Sequence, residues 1–168
     1  MTHVPGVSGA PDAQRLEAEL QFVTELCEVV ATNTELKPIL DWIVHKTTGL
    51  LAAEEGSIKL LAPEVAGPGV KTIIRGENPG LSSGSWPPAV SMSVMGFLLH
   101  RGEALSSPDL PADARFSGLH GATGRVRAVL AVPLKVGNRI TGMLAVTQAE
   151  PGSAGNAADA QLLSIVAS

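Results

Sequence analysis

Two runs of residues between Arg127 and Gln148, AVLAVPLKV and RITGMLAVTQ, are apolar at both alternating sets of positions and flank the pair Gly137-Asn138. Gly-Asn supplies the positive φ angles that a two-residue hairpin turn needs, so the pattern predicts an antiparallel ribbon. Pairing Val136 with Arg139 sets Leu134 against Thr141, Val132 against Met143 and Leu130 against Ala145 on one face. The other face then pairs Ala131 with Leu144 and Val129 with Val146. Both faces are apolar. A ribbon with one wet face alternates polar and apolar residues, so this one is expected at the centre of a sheet covered on both sides.

Upstream of the ribbon the apolar period changes from two to that of helices. Residues 1–11 carry two prolines, two glycines and no period, which reads as a disordered tail before a single domain spanning 12–168. From Asp12 to about Ala31, Leu16, Leu20, Val23, Cys27 and Val30 recur at spacings of four, three, four and three, a heptad seam, and Phe22, Leu26 and Val29 widen it. A stripe of that width suits a helix packed on its own sheet, one paired with a second subunit, or both. Thr34 caps a second helix running to about Leu51, with Glu35 near its positive end and Pro38 in its first turn. Its core face reads Leu36, Ile39 or Leu40, Ile43, Thr47 and Leu50, with Asp41, His45 and Lys46 turned outward. Gly56 to Leu61 and Val70 to Arg75 form a second hairpin.

Ser91 to Arg101 reads as a short helix ended by Gly102, Glu103 to Ser106 as a brief strand, and Asp109 to Phe116 as a turn feeding a short helical segment. A glycine-rich loop, Gly118 to Gly124, precedes the central ribbon. Asn156 caps a last helix containing Asp159, Leu162, Leu163, Ile165 and Val166, which no Gly or Pro stops before Ser168. That helix is expected to continue toward a further domain of the same chain.

Composition narrows the chemistry. At 168 residues, with 45% hydrophobic and 17% charged, the chain has the size and balance of one globular domain. Its apolar runs fall short of the roughly 20 residues that span a bilayer. No basic segment followed by an apolar core opens the chain, so a cytoplasmic location is expected and a membrane partner is not. Cys27 is the single cysteine, which excludes an internal disulfide and a cysteine-bound metal cluster. A net charge of −4, twelve scattered basic residues and 3% aromatic content argue against direct nucleic-acid binding. His3, His45, His100 and His120 stand without carboxylates at ligand spacing, and no metal or cofactor is indicated; His100 and His120, which flank the central irregular segment, are the one pair worth testing. Gly67-Pro68-Gly69-Val70-Lys71-Thr72 lacks the spacing and the following helix of a phosphate loop. Ser106-Ser107 lies in no recognisable nucleophile setting, so no enzyme activity is expected of these residues.

Four segments, LKPILDWIVHKTTGLLAAEEGSI, GFLLHRGEALSSPDL with the following DARF, VRAVLAVPLKVGNRITGMLAVT and DAQLLSIVA, resemble those of the GAF domain in order and spacing. The resemblance implies an α+β sandwich: a six-stranded antiparallel sheet, the terminal helices and second helix on one face, and a ligand pocket roofed by Gly76 to Arg125 on the other. It further implies a sensory module of a signalling protein, dimerising through its terminal helices and controlling an attached output domain. The alternative is a degenerate module whose cavity its own Met and Phe side chains fill, leaving assembly as its role. Where cyclic-nucleotide-binding members carry Asn-Lys, Phe and Asp-Glu, this chain holds Gln148-Ala149, Gly155 and Asp159-Ala160. Members that reduce free methionine sulfoxide use several cysteines, whereas this chain has one. Bilin attachment would need a pocket cysteine.

The pocket candidates are Ile73, Arg75, Trp86, Met92, Met95, Phe97, Asp109, Arg115, Phe116, Val129 and Ala131. Asp109, Asp113 and Arg115 either orient a polar ligand or form a capped turn closed by an ion pair. For the dimer seam the candidates are Leu16, Leu20, Val23, Cys27, Val30, Leu162, Ile165 and Val166.

Overall fold

The computed structural model describes residues 10–62, 69–77, 86–152, 155 and 157–167. The expected tail at 1–11 lies almost wholly outside them. The chain divides into two compact units, Met1–Ile39 and Leu40–Ser168.

The first unit holds helix α1, Ala10–Thr32, whose last turn is closed by Asn33, its amide nitrogen and side-chain Nδ2 both donating to the Val29 carbonyl. Helix α2, Leu36–Leu50, leads into the second unit. There follow β1 (Glu55–Ala62), β2 (Gly69–Glu77), α3 (Pro88–Arg101), β3 (Leu105–Ser107), two 3₁₀ segments (Leu110–Ala112 and Ala114–Leu119), β4 (Ala128–Val136), β5 (Arg139–Gln148) and α4 (Ala157–Val166). Proline opens α3 where a missing N–H costs least, and Gly102, at φ 69°, closes it by donating its N–H to the Leu98 carbonyl.

The sheet is antiparallel throughout in the order β2-β1-β5-β4-β3. Among the described residues it has five strands rather than the six expected. The ribbon β4-β5 is interior, as its two apolar faces require. Its register departs from the simple one. Val136 faces Arg139 and Lys135 faces Ile140, but Leu134 then faces Gly142, so Thr141 is an extra residue in β5. Every inner pair is displaced by one: Val132 faces Leu144, Ala131 faces Ala145, Leu130 faces Val146 and Val129 faces Thr147. The bulge sits where β5 meets β1 most closely. Gly142 passes so close to β1 that a side chain would overlap the Lys59 carbonyl and Leu60, and the Thr141 hydroxyl donates to the Leu134 carbonyl at 3.4 Å. A second irregularity, between Ile58 and Lys59, leaves Ile73 as the extra residue of β2.

The corrected register sorts the sheet into two faces. Leu130, Val132, Leu144, Val146 and Ile58 share the face that meets α2 and α4. Gly56 lies on that face directly under α2, where any side chain would collide with Thr48 and press on Val44. This close approach turns α2 so that it buries Ile43, Val44, Thr47 and Thr48, whereas Leu36 and Leu50, expected in its core face, are exposed. The opposite face carries Val129, Ala131, Met143 and Ala145, covered by Val90, Val94, Met95 and Leu98 of α3 and by Leu105, Leu110, Phe116 and Leu119.

Candidate functional site

Strand β1 brings polar chemistry under this second cover. Its residues alternate between faces, so Gly56 and Ile58 look toward α2 while Glu55, Ser57 and Lys59 look toward α3. In register these three face Thr147, Ala145 and Met143 of β5, and through them Val129, Ala131 and Pro133 of β4. The row is deeply enclosed, Glu55 being 1% exposed, Ser57 0% and Lys59 3%. Such side chains seldom enter a core without a specific counterpart, since each unmatched buried group costs about 1–3 kcal/mol.

Trp86, at the entrance to α3, completes the row. Lys59 Nζ lies 4.8 Å from the centre of its indole ring, a cation–π distance. The indole N–H and the Ser57 hydroxyl are buried with no hydrogen-bond partner among the described residues. Glu55 and Lys59 each take part in further interactions within the chain.

The sequence candidates separate into groups. Trp86, Met95, Phe116, Val129 and Ala131 belong to one buried cluster, with Phe97 packed at its edge. Met92 does not join them: it is 39% exposed on the outer face of α3, because Ser91, Val94, Met95 and Leu98 make up the inward stripe. Ile73 sits at the β2 bulge and Arg75 is paired across the strands with Ser57; the side chains of β2 lie outside the described residues. Asp109 is drawn off to Arg127 at 3.2 Å, beside the amide of Leu110 that donates to the Arg127 carbonyl.

Asp113 and Arg115 form a clip on the outside of this cover. The Asp113 carboxylate caps the second 3₁₀ segment by accepting from the Arg115 amide at 3.0 Å, accepts from the Ser107 hydroxyl at 2.7 Å and pairs with Arg115 Nη2 at 2.6 Å. Arg115 also donates to the Ser106 carbonyl at 2.8 Å, and its guanidinium lies over Phe97 and Phe116. Hydrogen bonds from the Arg115 side chain hold the Asp113 carboxyl down to about 2, and the same bond raises Arg115 above its usual value. Of the two readings, capped turn or polar ligand site, the geometry is that of the first. A shallow groove of about 350 Å³ runs beside it, between Ser93 and Phe97 of α3 and Gly118-Leu119.

On α1 the two stripes separate. Leu16, Leu20, Val23, Cys27 and Val30 are exposed, Leu16 and Leu20 to 58% and 61%, while Phe22 is buried and Leu26 and Val29 half-buried. On α4, Ile165 is exposed and Val166 half-buried, but Leu162 is buried with Leu163 and belongs to the interior. His100 and His120 are exposed, and among the described residues no group of three or more His, Cys, Asp or Glu could hold a metal ion. No helix of the described residues is long and apolar enough to cross a membrane.

The sheet order, the helix pair on one face and the covered second face meet their match in a family comparison: the GAF domain model matches residues 35–168. The chain belongs to the GAF domain family. Solved structures share the fold at low identity. One is the GAF domain of the Acinetobacter phosphoenolpyruvate-protein phosphotransferase, 17% identical, with a TM-score of 0.67 over 89% of this chain and 88% of that one. Another is the free methionine-R-sulfoxide reductase of Neisseria meningitidis in complex with its substrate, 16% identical, with a TM-score of 0.65 over 99% of this chain and 92% of that one. A third is the phycocyanobilin-bound GAF domain of a cyanobacterial phytochrome, 14% identical, with a TM-score of 0.67 over 89% of each chain. No curated protein matches the chain. Helix α1 precedes the residues that the family model matches.

The row Glu55, Ser57, Lys59 was not singled out from the sequence. Alternating polar positions on a strand read as a wet face, and only the place of β1 beside a ribbon covered on both sides points the other way. Whatever covers β4 and β5 must also reach their neighbour.

Proposed function

We propose that this GAF domain is a regulatory input module that binds a small molecule between β1 and the segment around Trp86 and α3. The observation that carries this reading is the enclosed polar row Glu55, Ser57, Lys59 with the Trp86 indole, set in an otherwise apolar core. A core that only had to be filled would be apolar there, because polar groups cost stability when buried. Solved structures of the same fold, a free methionine-R-sulfoxide reductase in complex with its substrate and a phycocyanobilin-bound GAF domain, support a small-molecule role for the fold.

Binding has an outlet. Gly56 meets α2 at Val44 and Thr48 on the reverse side of the strand that carries Ser57, so a ligand that shifts β1 presses on α2. Regulation requires that the ligand bind two helix arrangements with different affinity. The exposed seam of α1 gives such arrangements a readout, a parallel pairing with a second copy that transmits to an output domain. The reading assigns the domain no catalytic step; its single cysteine, Cys27, lies exposed on α1.

A second reading rests on the packing of Met95, Leu98 and Phe116, which occupy the space between α3 and the sheet. It makes the domain an assembly module without a ligand. Thermal-shift screening of a metabolite collection together with native mass spectrometry separates the two, since binding to the folded state raises the melting temperature by mass action. A saturable shift from one compound class supports the first reading. A dimer with no shift across the collection supports the second.

A further inference from the structure

We propose that the outer face of α1 docks an amphipathic helix of another protein, one whose apolar heptad seam is flanked by lysine or arginine. This goes beyond the self-pairing proposed above and names what competes with it for the same seam.

The open face of α1 is apolar along its centre and acidic at its margin. Leu16, Leu20, Val23, Cys27 and Val30 form the centre and are exposed. Of the two flanks, the one carrying Glu19 and Leu26 is half-buried, and Arg15 pairs with Glu19 at 3.1 Å. The other flank, Glu17, Thr24 and Ala31, is exposed, as is Glu28 beside Cys27. Glu17 and Glu28 pair with no base among the described residues. They stand about 16 Å apart along the helix, or roughly three turns, so one acid marks each end of the seam. No base of α1 is left to answer them, since its single basic residue is Arg15.

Residues beside the seam of a two-stranded coil set its partner, because they meet their counterparts on the facing helix. Two parallel copies of α1 would set Glu17 against position 12 of the other chain, which is also acidic, and Glu19 against Thr24. Neither contact is attractive, and like charges brought together across an interface work against pairing. A second copy therefore gains the apolar seam alone. A helix with lysine or arginine at its margins gains the same seam and answers Glu17 and Glu28 as well. The charges thus choose among partners that the seam by itself would accept equally.

The test uses the whole chain and fluorescent helical peptides that share one leucine heptad seam and carry lysine, glutamine or glutamate beside it. A lysine peptide of the same composition with its seam scrambled serves as contrast. Anisotropy titration is expected to show saturable binding of the lysine peptide, with the glutamate peptide weaker by roughly tenfold. Raising the salt concentration should narrow that margin, because exposed charges are screened. Leu20→Lys should abolish binding of the lysine peptide, and Glu17→Lys combined with Glu28→Lys should reverse the order of the lysine and glutamate peptides. These substitutions lie on an exposed face, and an unchanged far-ultraviolet spectrum shows the helices intact. No binding of the lysine peptide, equal binding of the three seam peptides, or equal binding of the scrambled peptide overturns the inference. Sedimentation of the peptide-free chain keeps self-pairing a separate question. A monomer that binds the lysine peptide supports the inference and removes self-pairing. A dimer that the lysine peptide does not displace overturns the inference and leaves self-pairing in place.

Discussion

At the scale of single residues, Asp113 and Gly142 are governed by different physics. Asp113 takes three hydrogen-bond roles at once, and its folded carboxyl lies at about 2 against an ordinary 3.8. A lowered carboxyl stabilises the fold fully above its unfolded value and loses that contribution as pH falls through the folded one. With Arg115 nearly half exposed, solvent screening reduces the stabilisation to about 1–2 kcal/mol. Asp113→Asn is therefore expected to cost about that much at neutral pH, and urea unfolding of both proteins should show the difference constant from pH 5 to 8 and vanishing between about pH 4 and 2. Gly142 is a matter of space. A methyl group there meets the Lys59 carbonyl and lies 2.7 Å from Leu60 Cδ2, so Gly142→Ala must push β5 off β1 and should destabilise by about 1–3 kcal/mol in the same assay. The Asp113 turn was legible in the spacing Asp-Ala-Arg, which admits a turn capped by the aspartate and closed by an ion pair. Ser57 and Lys59 were not, since a polar residue at every second strand position reads by default as a wet face.

At the scale of elements, helix α1 shows what periodicity can and cannot decide. A seam spaced four, three, four, three was visible in the sequence, but a wide apolar stripe does not say which half is covered. The structure divides it: Phe22 is buried, and Leu16, Leu20, Val23, Cys27 and Val30 are left in solvent. An exposed heptad row of that kind has the spacing of the a/d surface in a two-stranded coil, which is why the proposed pairing is assigned to it. If the chain pairs through α1, a charge in the middle of the row should abolish pairing without disturbing the interior, so Leu20→Lys is expected to sediment as a monomer where the parent chain sediments as a dimer, with an unchanged far-ultraviolet spectrum. Equal masses for the two proteins would remove α1 as the pairing surface. The ribbon was legible in the same partial way. Its existence, interior place and Gly-Asn turn follow from composition alternating with nothing polar, while the one-residue displacement does not, because the bulge answers to Gly142 meeting a strand far away in the chain. Helix α2 was mis-set for the same kind of reason: the close approach to Gly56, invisible from α2 itself, decides which of its sides is buried.

For the whole molecule, the sheet separates two compartments that the same strands serve. One side holds Leu130, Val132, Leu144 and Val146 with α2 and α4; the other holds the α3 cluster and the polar row of β1. Both compartments are built from residues after Glu35, the stretch that the GAF family match covers, and cutting at that point keeps α2 whole. A chain of residues 35–168 thus retains both cores, the strand β1 with its polar row, and the contact of Gly56 with α2. It lacks the exposed seam. If recognition belongs to the GAF core and pairing to α1, the shortened chain should melt cooperatively and keep any ligand-induced rise in melting temperature seen with the full chain, while sedimenting as a monomer. Both readouts come from one preparation, and they fail independently. Loss of the ligand shift in a folded 35–168 chain would mean that α1 shapes the binding state, so that input and assembly are one equilibrium. A persistent dimer would move the pairing surface to the sheet unit, where Ile165 of α4 is the exposed apolar residue left from the expected seam.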